Sequence, residues 1–312
     1  MSVQLTHNPS PGTAAAANSS SGASAPSGTG EATSVPGEAA SVYGAVTNRR
    51  VTVTDIAKAK IAGERWPMLT AYDAMVAGVL DQAGIPVLLV GDSAAMVVLG
   101  HDSTLPIGMD ELLMMTAAVV RGTQRALVVA DMPFGSYQES PQQALRNATR
   151  FMKESGAQAV KLEGGQRVAP QIRALVEAGI PVMAHIGLTP QSVNTLGGYK
   201  VQGRGEAGHA LLDDALAVQA AGAFAVVLEV VPHDLAERVT KELDIATVGI
   251  GAGKGTDAQV LVWQDLLGLT PGKAPKFVQP YADLRSTMVT AVSAWANDVV
   301  TGTYPDLDHS YS

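Results

Sequence analysis

Eight short apolar runs recur along the chain, and most are followed by a stretch with helical spacing. A chain built this way folds into a parallel sheet covered by helices. The runs are PMLT (67–70), PVLLVG (86–91), ALVVA (126–130), AVKLE (159–163), PVMAH (181–185), AFAVVLE (223–229), ATVGIG (246–251) and KFVQ (276–279). Between them lie DAMVAGVLDQAG, MDELLMMTAAVVRG, SPQQALRNATRFMKESG, RVAPQIRALVEAG and GHALLDDALAVQAAG, several closed by a Gly suited to a left-handed cap. Eight such strands form either a closed barrel or an open doubly wound sheet, and the polar residues decide between them. Asp92, Asp131, Glu163, His185 and Glu229 each end a run or follow it directly. A barrel gathers all of these at its C-terminal face, whereas an open sheet spreads them along an edge and unites only those near its switch point. Side chains alternate along a strand, so Asp92 shares a face with Val90 and Leu88, Asp131 with Val129, Glu163 with Lys161, and Glu229 with Val227. Those faces are all expected to point inward. The expectation is an α/β fold, a (β/α)8 TIM barrel with its active site at the C-terminal face.

The 312 residues suit one barrel of about 250 residues with extensions. Residues 1–42 are Ser, Gly, Ala, Pro and Thr with few large apolar side chains; such a segment cannot offset an ordering cost of roughly 1–2 kcal/mol per residue. It is read as a disordered tail, with the barrel domain over 43–312. A short N-terminal helix is expected over DIAKAKIAGER, capped by Thr52 or Thr54 and carrying Ile56 and Ile61 on one side. Hydrophobic residues at 46% against 16% charged supply a large core, and a net charge of -8 argues against a nucleic-acid partner. The absence of cysteine rules out disulfides, thiolate metal sites and cysteine nucleophiles, so any metal must take oxygen or imidazole ligands. No apolar stretch approaches the roughly 20 residues of a membrane span, and no basic start with an apolar core directs export. A cytoplasmic, soluble protein is expected.

Asp92 and Asp131 end hydrophobic strands, where an unpaired carboxylate costs several kcal/mol to bury. With Glu163 they make a hard oxygen site of the kind Mg2+ prefers, completed by water and substrate oxygens; each Asp taken singly is equally suited to capping the helix after its strand. Lys161 lies two residues from Glu163 and faces the same way, either binding a substrate carboxylate or forming an internal ion pair with Glu163. His185 either orients substrate or is a satisfied core histidine. Glu229, flanked by Val and Leu, has no local partner; burial should raise its pKa and make it a base, the alternative being a salt bridge to an Arg such as Arg204. The segment GIGAGKGTD imitates a phosphate loop, but Lys254 is followed by Gly255 rather than Ser or Thr, so that reading fails. It remains a Gly-rich turn, either offering backbone N–H groups to a ligand or simply closing tightly.

The segments MLTAYD, VGDS, GHDSTLP, ADMPFGSY, VKLEGG, AHIGLTPQS, GGYKVQGR, LEVVP, VGIGAG, QVLVWQD and PKFV, in this order from Pro67 to Val278, closely resemble the ketopantoate hydroxymethyltransferase family. The resemblance implies a (β/α)8 barrel that uses Mg2+ and takes 5,10-methylenetetrahydrofolate as co-substrate and 2-oxoisovalerate as acceptor, in pantothenate and coenzyme A synthesis. It also implies a homo-oligomer, often a decamer. Matched motif by motif, Asp92, Asp131 and Glu163 would bind the metal; Asp92, Ser93, Asp131 and Lys161 would bind the oxo acid; and Glu229 would be the proton acceptor. His185 matches the family's histidine before the Gly-Leu-Thr-Pro turn and would support them. Two departures stand out. Ala94 and Ala95 replace Leu and Gly in the family's Gly-Asp-Ser-Leu-Gly-Met, and Ala258 replaces Gly in Asp-Gly-Gln, where a positive φ would suit Ala poorly. Two rival readings are weaker. A carbon–carbon lyase of the phosphoenolpyruvate/pyruvate barrel group is expected to carry a Lys-Lys-Cys-Gly-type loop, and this chain has no Cys. A catalytically silent paralogue should have lost an acid or the base, and all are present.

Overall fold

A computed structural model describes residues 41–45 and 48–312; the expected tail lies almost wholly outside them. Eight parallel strands close into a barrel in sequence order: β1 (Trp66–Thr70), β2 (Val87–Val90), β3 (Leu127–Asp131), β4 (Ala159–Glu163), β5 (Val182–Gly187), β6 (Ala225–Glu229), β7 (Ala246–Ile250) and β8 (Ala258–Leu261). Pairing of β1 with β8, Met68 opposite Val260, completes the ring. Helices of nine residues or more are α1 (Val53–Ala62), α2 (Ala74–Gln82), α3 (Met109–Gly122), α4 (Pro141–Arg150), α5 (Ala169–Glu177), α6 (Ala207–Ala220), α7 (His233–Glu242) and α8 (Leu284–Thr301). The fold is the expected TIM barrel, with one strand corrected. KFVQ is not the eighth strand: Lys276 and Phe277 form a turn, and AQVL supplies β8. The Gly-rich segment links β7 to β8 directly, with no helix between them, so helix and strand do not alternate to the end.

Alternation along the strands divides the apolar residues into two sets. Val87, Leu89, Val129, Ala159, Met183, Val227, Val248 and Val260 fill the barrel interior, while Leu88, Val90, Val128, Leu162, Ala184 and Leu228 pack outward against the helices. α1 plugs the N-terminal end of this interior with Ile56 and Ala59. Its start is fixed by Asp55, whose carboxylate accepts from the Thr52 N–H at 2.8 Å, and its end by Gly63 in the left-handed conformation. Lys60 ties it to the barrel floor through Asp257 at 3.0 Å. The pairing of Ile56 with Ile61 does not hold: Ile56 is fully buried and Ile61 is 86% exposed, because positions five apart on an α-helix lie on different faces.

The family departures cost nothing visible in the backbone. Ala94 and Ala95 lie in a short helical turn (Ala94–Val97) and Ala258 opens β8, none of them with positive φ. No helix among the described residues is long and apolar enough to cross a membrane. α8 is unusual among the helices in burying none of its residues, and it leaves Met288, Val292 and Trp295 exposed.

Candidate active site

Asp92, Ser93, Asp131, Lys161, Glu163, His185 and Glu229 all line one cavity of about 460 Å³ at the C-terminal end of the barrel. Asp131, Lys161, Glu163, His185 and Glu229 arrive there by strand alternation, each in step with an interior residue such as Val129, Ala159, Met183 or Val227. Asp92 does not, contrary to expectation: Leu88 and Val90 point to the helices, and Asp92 reaches the cavity because β2 ends at Val90 and the chain turns at Gly91. Glu229 is set by its surroundings. Gly187 ends β5 at φ 90°, where a Cβ would stand 2.5 Å from the Glu229 carbonyl oxygen, so only glycine lets the two strand ends approach this closely. The Leu188 N–H then donates to that carbonyl at 2.8 Å. Directly after the acid, Val230 takes φ 50°, rare for a β-branched residue, and donates its N–H to Ile250 at 2.8 Å.

The charged groups form a connected set. The Lys161 ammonium donates to both Asp131 oxygens at 2.7 and 2.8 Å, and the Asp92 N–H donates to Asp131 Oδ2 at 3.1 Å. Lys161 therefore pairs with Asp131 and not with Glu163, the internal partner weighed against a substrate carboxylate. Ser93 Oγ lies 2.9 Å from the Tyr72 hydroxyl. His185 stands between two acids, with Nδ1 3.4 Å from Glu163 Oε1 and Nε2 3.2 Å from Glu229 Oε2. Neither contact is aligned as a hydrogen bond, so both ring nitrogens and Glu163 Oε1 are buried without a hydrogen-bond partner among the described residues. Glu229 thus has the partner its sequence neighbours did not reveal, and it is His185 rather than Arg204. It is also less buried than expected, its side chain 16% exposed at the cavity wall.

Burial and crowding decide the charge states. Asp92 is pushed well above the usual carboxylate range by burial and then by the charges of Asp131 and Glu163. Asp131 is also raised by burial, which Lys161 offsets in part. Burial works against the Lys161 ammonium, but the carboxylates of Asp131, Glu163 and Asp92 prevail and hold it above its ordinary value. For Glu163, burial is overcome by His185 and Lys161, leaving it low. His185 is opposed by burial and by Lys161, yet Glu163 and Glu229 raise it to about 9, so it carries its proton at neutral pH.

These residues suit a hard divalent cation. The mutual repulsion of Asp92, Asp131 and Glu163, which helps to raise Asp92, is what a cation among them would relieve, and Glu163 Oε1 is an unspent acceptor. Asp92 Oδ1 likewise takes no hydrogen bond from the described residues, since Oδ2 receives the one from Gln191. Among the described residues no three Asp, Glu or His side chains form a ready-made cage, and Lys161 occupies both oxygens of Asp131. One or two carboxylates with water and substrate oxygens satisfy Mg2+, which is the arrangement open here. Most of the rest of the cavity is apolar, with Leu89, Val227 and Val260 at its base and Tyr199, Ile250 and Phe277 toward its rim, though Thr70, Thr104, Asp265 and Lys276 also line it.

Two residues not singled out in the sequence stand behind the acids: Gln191, which bonds to Asp92 and Glu163, and Tyr137, which bonds to Gln191 and to the backbone of Glu163. Gln191 falls within the AHIGLTPQS segment, but nothing local marks it as facing the site.

A family model described as ketopantoate hydroxymethyltransferase matches residues 50–307. Curated relatives named 3-methyl-2-oxobutanoate hydroxymethyltransferase include one from Frankia alni, 64% identical over 88% of this chain and 93% of the relative. Another, from Streptomyces coelicolor, is 66% identical over 86% of this chain and 92% of the relative. A solved phosphonopyruvate hydrolase superposes with a TM-score of 0.55 at 13% identity, over 84% of this chain and 92% of that one. A 2,3-dimethylmalate lyase gives 0.52 at 18% identity, over 83% and 91%. At such identities these two structures speak for the barrel alone.

Proposed function

The chain belongs to the ketopantoate hydroxymethyltransferase family, and from that premise we propose that it is a Mg2+-dependent 3-methyl-2-oxobutanoate hydroxymethyltransferase. In this reading it transfers a one-carbon unit from 5,10-methylenetetrahydrofolate to 2-oxoisovalerate, giving ketopantoate for pantothenate synthesis. The observation that carries the proposal is the meeting of Asp92, Asp131, Lys161, Glu163 and Glu229 in one largely apolar cavity, with the acids close enough to repel one another.

Asp92 and Glu163 would hold Mg2+, and Asp131 would join them once Lys161 turns from it to the oxo acid. When bound, the ion supplies the Lewis acidity that makes the proton next to the 2-oxo group labile. Lys161, already paired with Asp131, is placed to meet the carboxylate of the oxo acid, and Ser93 beside Asp92 to contact its oxygens. Val227 and Val260 offer the isopropyl end an apolar wall. Glu229 accepts the C3 proton, and His185, raised by Glu163 and Glu229 and 3.2 Å from Glu229 Oε2, faces the carboxylate with positive charge. C3 then bonds to the methylene carbon as one of that carbon's two bonds to folate nitrogen breaks; water displaces the second nitrogen and leaves the hydroxyl, and the C3 proton and one proton of water end on the two nitrogens of tetrahydrofolate. Homo-oligomerisation and a cytoplasmic location are part of the same proposal, the former supported by the unburied apolar side chains of α8.

Titrating Mg2+ into chelator-treated protein tests this. Turnover should rise from background with the ion, and Asp131→Asn should weaken cation and oxo-acid binding together, as read by calorimetry. Full turnover without a divalent ion removes the mechanism.

A further inference from the structure

Gln191 lies just after β5, in a short 3-10 turn (Pro190–Ser192), and is 5% exposed. It does not line the cavity. Its side-chain amide donates to Asp92 Oδ2 at 2.9 Å and to the Met132 carbonyl at 3.0 Å, and its backbone N–H donates to Glu163 Oε2 at 3.0 Å. Its carbonyl oxygen accepts from the Tyr137 hydroxyl at 2.8 Å and from Gln138 at 3.1 Å. The orientation of the amide is settled by its partners: a backbone carbonyl only accepts, so the nitrogen must face Met132 and Asp92. Tyr137 in turn accepts from the Glu163 N–H at 3.0 Å.

One residue therefore occupies a single oxygen of each of two acids, Asp92 after β2 and Glu163 at the end of β4. It leaves the other oxygen of each without a hydrogen bond from the described residues: Asp92 Oδ1, and the buried Glu163 Oε1, which faces His185 Nδ1 at 3.4 Å out of hydrogen-bond alignment. A carboxylate free to rotate presents either oxygen and samples geometries that bind a cation poorly; one clamped at a single oxygen presents the other in a fixed direction. We propose that Gln191 is a positioning residue for a divalent cation, aiming Asp92 Oδ1 and Glu163 Oε1 at the ion, with Tyr137 holding Gln191 in place. The proposal rests on reading these acids as the metal site, and it adds the residue that orients them.

The test is the affinity of the folded protein for Mn2+, followed by the EPR signal of free ion, alongside Mg2+ calorimetry. Gln191→Met keeps the volume and removes both side-chain hydrogen-bonding groups, releasing Asp92 and the contact to Tyr137 while the backbone N–H to Glu163 stays. Its Kd for either ion should rise about 10–100-fold, the usual effect of losing an outer partner of a metal ligand, while circular dichroism of the metal-free protein stays that of the wild type. A purely structural role would lower the melting temperature and leave the affinity of the folded fraction unchanged. Tyr137→Phe provides a milder variant should Gln191→Met fail to fold; it removes one hydroxyl and should weaken the ion in the same direction by a smaller factor. A folded variant that binds both ions as tightly as wild type overturns the proposal alone. Failure of the wild type to bind either ion overturns the metal reading of the site, and this proposal with it.

Discussion

Glu229→Gln should slow exchange of the C3 proton of 2-oxoisovalerate by about 10²–10⁴-fold, the usual effect of losing a general base. The experiment needs no folate. In D2O, wild-type protein with Mg2+ and the oxo acid alone should wash deuterium into C3, seen by NMR as loss of the methine signal. The amide keeps the shape of the acid but cannot take the proton. Binding of the ion and the oxo acid should survive, because Asp92, Asp131, Glu163 and Lys161 are untouched. Exchange at the wild-type rate in the variant would place the base elsewhere. His185 lies 3.2 Å from Glu229, but its pKa of about 9 makes it a poor substitute.

Lys161→Met should lower folding stability by about 3–5 kcal/mol, the cost of leaving one partner of a buried pair alone, and should abolish turnover. Lys161 and Asp131 are both almost fully enclosed, and the ammonium also faces Asp92 and Glu163. Without it, Asp131 must take a proton to stay buried. A carboxyl whose folded pKa lies above its unfolded one binds protons on folding, so its contribution falls as pH rises above the unfolded value. The deficit of the variant should therefore grow from pH 5 to pH 8 in denaturant titrations. A loss below about 1 kcal/mol, the range of exposed pairs, or one that is flat with pH, would show that the pair does not hold the site together.

Much of this was legible in the sequence, because strand alternation and strand ends are local properties. Seven of the strands fall where the apolar runs place them, and the acids at their ends meet as a barrel requires. The eighth was misplaced because AQVL is short and carries an exposed Gln259, whereas KFVQ has the aromatic and β-branched residues of a strand. Alternation also misjudged Asp92, since it says nothing once the chain leaves the strand. The partners of single side chains were least legible. Gln191 meets Asp92 across 99 positions of sequence and Glu163 across 28, and the facing of His185 toward Glu229 depends on adjacent strands closing at one end. Such contacts follow from register, which only the folded barrel fixes.

The most direct measurement is formation of ketopantoate from 2-oxoisovalerate and 5,10-methylenetetrahydrofolate by the purified protein. Product should appear with Mg2+ and both substrates, and fall to background when the ion or the donor is left out. No product from the complete mixture, with the protein folded and the ion bound, would contradict the assigned reaction.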